Sequence, residues 1–131
     1  MGHRLTTRSR YMRKTMYQHC FGNIDDDCVG PTIGGVEEYR SARWLISRCG
    51  ADAFDAIEIG GMMFVNDGIV EPCTEPDDVP AFYSVYLHYA NRPGRSPDCV
   101  GDFATAERAR AYAAQIHDAF GWPIAIDRPP A

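Results

Sequence analysis

A chain of 131 residues, 45% hydrophobic and 24% charged, is long enough for one domain with its own core. Its 13 basic and 18 acidic side chains leave a formal charge of −5, which excludes a body that binds phosphate backbones over a broad surface. No apolar run approaches the ~20 residues that cross a bilayer, and no apolar segment follows the N-terminal charges as in a secretory leader, so the expected location is cytoplasmic.

The charge is unevenly placed. Residues 1–20 carry Arg4, Arg8, Arg10, Arg13 and Lys14 and no acid, whereas the remainder holds 8 basic and 18 acidic residues, a balance of −10. Met12, Met16 and Cys20 recur every four residues with Tyr17 beside them, which predicts a short helix over Thr7–Cys20 whose other side carries Arg10, Arg13 and Lys14. Residues 21–35, FGNIDDDCVGPTIGG, are dense in Gly, Asp and Pro and read as a loop containing Asp25, Asp26 and Asp27. Residues 1–35 thus form a basic arm and an acidic loop, and residues 36–131 an α+β domain.

Within that domain Val36, Tyr39, Ala42, Leu45, Ile46 and Cys49 fall on one face at helical spacing. Glu37 and Glu38 suit the positive N-terminal end of such a helix, and Gly50 ends it. Trp44 and Arg48 lie off its apolar face, where Trp44 either packs under a loop or anchors a partner. Residues 54–59, 62–65 and 69–72 predict short strands, the first two separated by Gly60-Gly61 and the last two by the hairpin signal Asn66-Asp67-Gly68. TEPDDVP, residues 74–80, is a polar connector with Glu75, Asp77 and Asp78.

The longest strand is AFYSVYLHYA, residues 81–90. Its alternation puts Tyr83, Val85, Leu87 and Tyr89 on one face and Phe82, Ser84, Tyr86 and His88 on the other. CVGDF (99–103) returns antiparallel. Thr105 then caps a helix with Ala109, Tyr112, Ala113, Ile116 and Phe120 on its buried stripe, Gly121 stops it, and WPIAI (122–126) finishes as an edge strand. The expected fold is α+β: an antiparallel meandering sheet of about five strands with helices on one face.

The chemical constellations are weak. Five cysteines, an odd set at wide spacing, argue against a complete disulfide framework and suit reduced, mostly buried thiols. His19, Cys20, Cys28 and Cys49 lack the paired spacing of a zinc site. A Cys–His–Asp set drawn from Cys73 or Cys99 with His88 and Asp102 has no nucleophile elbow or oxyanion-hole glycines to support it. Neither Gly34-Gly35 nor Gly60-Gly61 fits a phosphate loop, and Lys14 is the sole lysine. The expectation is no catalytic residue, no metal and no cofactor.

FYSVYLHYANRPGRSPDCVGDFATAERARAYAAQIHDAFG, with the preceding IEIGGMMFVNDGIVEPC, resembles small accessory proteins of bacterial mobile elements, plasmids and prophages. The shared features are an aromatic-valine strand, a polar turn, a short "DF" strand and an alanine-rich helix opened by threonine. What this resemblance implies is an anti-defence inhibitor of the anti-CRISPR kind, which binds a nuclease complex without catalysis. The element order is also similar to double-stranded-RNA-binding domains, but TAERARAYAA lacks the lysine cluster by which those hold phosphates. The expected function is therefore a non-enzymatic protein-binding module that inhibits a host protein or nucleoprotein complex. Its expected contacts are Arg8, Arg10, Arg13, Lys14, Asp25, Asp26, Asp27, Trp44, Arg48, Glu75, Asp77 and Asp78, with direct nucleic-acid binding weak at most and no membrane partner. The competing reading is a nucleic-acid-binding accessory or regulatory protein of a mobile element that uses the basic arm.

Overall fold

Alternation over residues 82–89 sets the middle of the fold. In the computed structural model, which describes residues 28–66 and 68–128, Phe82–Tyr89 is strand β5. Val85, Leu87 and Tyr89 are buried on one of its faces, Phe82 and Ser84 on the other. β3 (Phe54–Val65) and β6 (Asp98–Phe103) flank it, both antiparallel. Beyond β6 come β2 (Val36–Arg40) and the edge strand β1 (Cys28–Ile33). On the far side of β3, β4 (Ile69–Pro72) pairs with residues 62–65 and β7 (Ile124–Arg128) with residues 57–60, so two short strands share one edge.

Two described helices, α1 (Ala42–Cys49) and α2 (Ala106–Phe120), pack on one face. The Thr105 hydroxyl accepts from the Arg108 N–H at 3.2 Å, and Gly121 at φ 80° closes α2 in the left-handed conformation that favours glycine. Ala109, Tyr112, Ala113 and Ile116 form the expected stripe against Ile57, Ile59, Val85, Leu87, Val100 and Phe103, whereas Phe120, expected on the same stripe, is exposed at the helix end and stacks on Trp122. Each such aliphatic side chain, fully buried, contributes roughly 1.5–3 kcal/mol. The Ala42 N–H donates to the Tyr112 hydroxyl at 3.0 Å and joins the start of α1 to α2.

Several sequence expectations change. The sheet is mixed and has seven strands rather than about five antiparallel ones, because β7 runs parallel to β3. Val36–Arg40 is a strand, not the first turns of a helix: Tyr39 and Arg40 pair with Asp102 and Gly101, and the Ser41 N–H donates to the Val100 carbonyl before α1 begins. The reading of residues 28–33 as loop gives way to β1, which reaches β2 through Gly34 and Gly35, both at positive φ (55° and 83°) as a tight hairpin requires. Gly60-Gly61 does not break β3, whose twelve residues continue through both glycines. The cysteines are not mostly buried thiols either. Cys49 is exposed, Cys73 and Cys99 are half-buried, and Cys28, fully buried, is disulfide-bonded. The predicted helix over Thr7–Cys20, the arm residues Arg8, Arg10, Arg13 and Lys14, and Asp25, Asp26 and Asp27 all lie outside the described residues.

β2 and β6 approach closely at Gly101, where an added Cβ would stand 2.7 Å from the Phe103 ring and 3.1 Å from the Tyr39 carbonyl oxygen. Both residues are fully buried and cannot give way. Gly101→Ala is expected to lower stability by roughly 1–3 kcal/mol, read as a lower urea midpoint at unchanged slope. An unchanged midpoint would show that the two strands are not packed this tightly.

Candidate interaction surface

The edge hairpin is held to the domain by a buried carboxylate. Glu38 points from β2 to the helix side, where Arg108 of α2 donates to both its oxygens at 2.9 Å. Gly30 on β1 makes room for it, since a Cβ there would lie 2.3 Å from a Glu38 oxygen. Arg40 adds a guanidinium 3.6 Å from the same carboxylate and stacks over Tyr112 at 5.5 Å. The paired Glu38 raises the Arg108 pKa beyond its ordinary value, chiefly through the hydrogen bond. These charges hold the fold together and offer little to a ligand.

On the opposite face a second polar group is buried. Ser84 donates to Asp102 at 2.7 Å across β5 and β6, and the Cys99 sulfur lies 3.4 Å from the Tyr39 hydroxyl and 3.5 Å from Asp102. The Cys–His–Asp set that the sequence allowed to be drawn is not assembled around Cys99 and Asp102, because His88 Nδ1 is held by Asp55 at 2.7 Å instead. Cys99 has a phenol and a carboxylate beside it rather than a base oriented by an acid.

The exposed features gather at the β3–β4 end. Pro72 and Phe82 pair with Met62 from its two sides, so residues 73–81 must cross β3 to connect them. Asp78 pins this crossing by accepting the backbone N–H groups of Thr74 and Glu75, both at 2.9 Å. On the crossing and the adjacent hairpin Phe64, Ile69 and Val79 are 48%, 56% and 79% exposed, with Phe64 and Ile69 on opposite faces of the ribbon because Ile69 pairs with Val65 and Phe64 with Val70. Glu71, Glu75 and Asp77, in the same segments, are also exposed. Beneath the crossing lies a cavity of about 310 Å³, lined by Glu58, Gly60, Met62, Cys73, Tyr86 and Arg128 among others. That is at the small end of the ~300–1,000 Å³ typical of ligand pockets.

The candidate contact residues therefore divide. Glu75 and Asp77 are exposed on the crossing, whereas Asp78 is half-buried and serves the loop's own backbone. Trp44 and Arg48 stack on each other at 5.1 Å on α1, which packs against β6, two strands away from β3. The structure does not bring the two groups into one patch. Sequence reasoning missed Phe64, Ile69 and Val79, because a strand residue and a loop valine carry no mark of exposure until the partner strands are placed.

No group of three or more histidine, cysteine or acidic residues able to hold a metal occurs among the described residues, and no described helix is long and apolar enough to cross a membrane. Comparison with protein-family models, with curated proteins and with solved structures gave no match.

The Cys73 thiol, which opens onto the cavity, is pushed up by burial and then by the Asp78 carboxylate. It is therefore protonated at neutral pH, the opposite of an activated nucleophile. Cys73 is expected to alkylate more slowly than the exposed Cys49 at neutral pH, with a rate that rises only above the usual thiol range, and Asp78→Asn should shift that rise to lower pH. Peptide-resolved iodoacetamide kinetics measure this. Faster labelling of Cys73 than of Cys49 at neutral pH would show an activated thiolate.

Proposed function

We propose that the chain is a non-enzymatic protein-binding module, an anti-CRISPR-like inhibitor of a host defence nucleoprotein complex carried by a mobile element. The observation that carries this reading is the β3–β4 end and the crossing that follows it, where Phe64, Ile69 and Val79 are each exposed and Glu71, Glu75 and Asp77 are exposed in the same segments. Apolar surface rimmed by charge marks an interaction site, and negative charge suits a partner whose basic groove otherwise holds phosphate. The pinned crossing presents these side chains with little conformational freedom to lose. The cavity beneath can admit one side chain of the partner as an anchor.

The protonated thiol of Cys73 and the engagement of His88 by Asp55 support a role without covalent chemistry. The exposed Cys49 thiol suits action in a reducing cytoplasm, and full burial shields the disulfide-bonded Cys28 from reductants. The competing reading, a nucleic-acid-binding accessory protein, draws on the five basic residues among residues 1–20. The −10 balance of the remaining residues, 8 basic against 18 acidic, opposes it.

Two measurements separate the readings. With short DNA and RNA the purified protein is expected to bind weakly and lose that binding steeply as salt rises. From host lysate it should capture a protein partner that excess nucleic acid displaces, and the E75Q/D77N/V79S variant should capture it at least about tenfold less well. Submicromolar nucleic-acid affinity at physiological salt, or capture indifferent to competing nucleic acid, would overturn the proposal.

A further inference from the structure

Two opposite charges, Glu58 of β3 and Arg128 of β7, line the cavity beneath the crossing. Strand register puts them there. Glu58 pairs with Tyr86 of β5 on one side and Ile126 of β7 on the other, and Gly60, the next residue on that face, pairs with Ser84 and Arg128. The direction of the β7 side chains is set by Asp127, which lies between Ile126 and Arg128 and accepts from Arg110 of α2 at 2.9 Å on the helix side. Ile126 and Arg128 therefore turn to the opposite face, the one that carries Ser84 and Tyr86.

Gly60 leaves the middle of this group open. A Cβ added there would meet nothing within 4 Å. Neighbouring strands are ~4.8 Å apart and two residues cover ~6.6 Å along a strand, so the Cα atoms of Glu58 and Arg128 stand ~8 Å from each other across that opening. Their charged ends do not meet, and among the described residues neither side chain enters a hydrogen bond or an ion pair. Glu58 is half-buried. A carboxylate in that position without a partner costs stability, and a ligand's cation would offset the cost. The rest of the wall is largely apolar, with Met62, Pro72, Pro97 and Ile126, and the Tyr86 hydroxyl is turned to Met62 Sδ at 3.4 Å. A mostly apolar hollow with a few placed charges is the form that small-molecule sites take.

We infer that this cavity binds a small zwitterion of the α-amino-acid class with an apolar side chain, its ammonium on Glu58, its carboxylate on Arg128 and its side chain over Gly60 against Met62 and Ile126. A ligand with a single charge answers one of the two residues and is repelled by the other, whereas an α-amino acid carries both charges one carbon apart. The inference concerns the protein by itself and stands whether or not the β3–β4 end binds a partner, whose side chain would have to displace the ligand to use the cavity.

Isothermal titration calorimetry of the full chain with L-leucine, L-methionine and L-phenylalanine tests it. Saturable one-to-one binding of at least one of them is expected, with a Kd of about 1 mM or tighter. The amine and the carboxylic acid that keep the same side chain but lack one of the two charges should bind at least about tenfold more weakly. Glu58→Gln and Arg128→Gln should each weaken binding by about tenfold or more. Gly60→Val, which fills the opening, should abolish binding while the near-ultraviolet circular dichroism of the folded protein is kept. No saturable binding of any of the three amino acids up to about 10 mM overturns the inference. So does equal binding of the singly charged analogues, or binding that survives either charge substitution unchanged.

Discussion

Strands β5 and β6 are buried on both faces, and the rest of the architecture follows from that constraint. On the helix side burial is apolar, with Val85, Leu87, Val100 and Phe103 under α2. On the other side it includes Ser84 and Asp102, which satisfy each other at 2.7 Å. A buried carboxylate is tolerated only where its oxygens find partners, so the register between β5 and β6 must hold that pair in place. The bulge between Val85 and Tyr86 turns Cys99 onto the same face as Asp102. Glu38 plays the matching part at the sheet edge. Its carboxylate fills the space left by Gly30 and receives Arg108, so the β1–β2 hairpin cannot slide without exposing an unpaired charge to the core.

With the central strands enclosed, the surface left to act on other molecules is peripheral. The β3–β4 ribbon extends beyond β5, which begins opposite Met62, and carries its apolar residues out with it. The crossing of residues 73–81 returns the chain to the sheet, with the Cys73 N–H donating to the Gly61 carbonyl and the Ala81 N–H to the Met62 carbonyl, and leaves Glu75, Asp77 and Val79 exposed. Under the proposed function this acidic and partly apolar edge is the part that meets the partner.

Elements with strong local periodicity were legible in the sequence. Thr105, Gly121 and the alanine-rich stripe between them define α2, and the alternation over residues 82–89 correctly sorts the two faces of β5. The misreadings have a common physical cause. Val36 and Tyr39 happen to fit a helical stripe that continues into α1, and only pairing with β6 decides that Val36–Arg40 is extended. β1 is short, contains Pro31 and Gly30, and gains its strand character entirely from β2 and from the Glu38 side chain that Gly30 admits. The parallel pairing of β7 is equally non-local, because nothing in IAIDR states a direction. Of the candidate site, the acidic connector was visible as composition. Its division into exposed Glu75 and Asp77 and a structural Asp78 depends on backbone geometry that composition does not encode.

The central claim is that the β3–β4 end fills a groove that otherwise holds nucleic acid. A photo-cross-linking residue at Val79, 79% exposed, places the probe at the proposed contact while leaving the core untouched. In host lysate the account predicts a covalent adduct with a nucleic-acid-binding protein, and that the adducted partner no longer binds its nucleic acid. An adduct whose partner binds nucleic acid as before, or the absence of any protein adduct at this position, would contradict it.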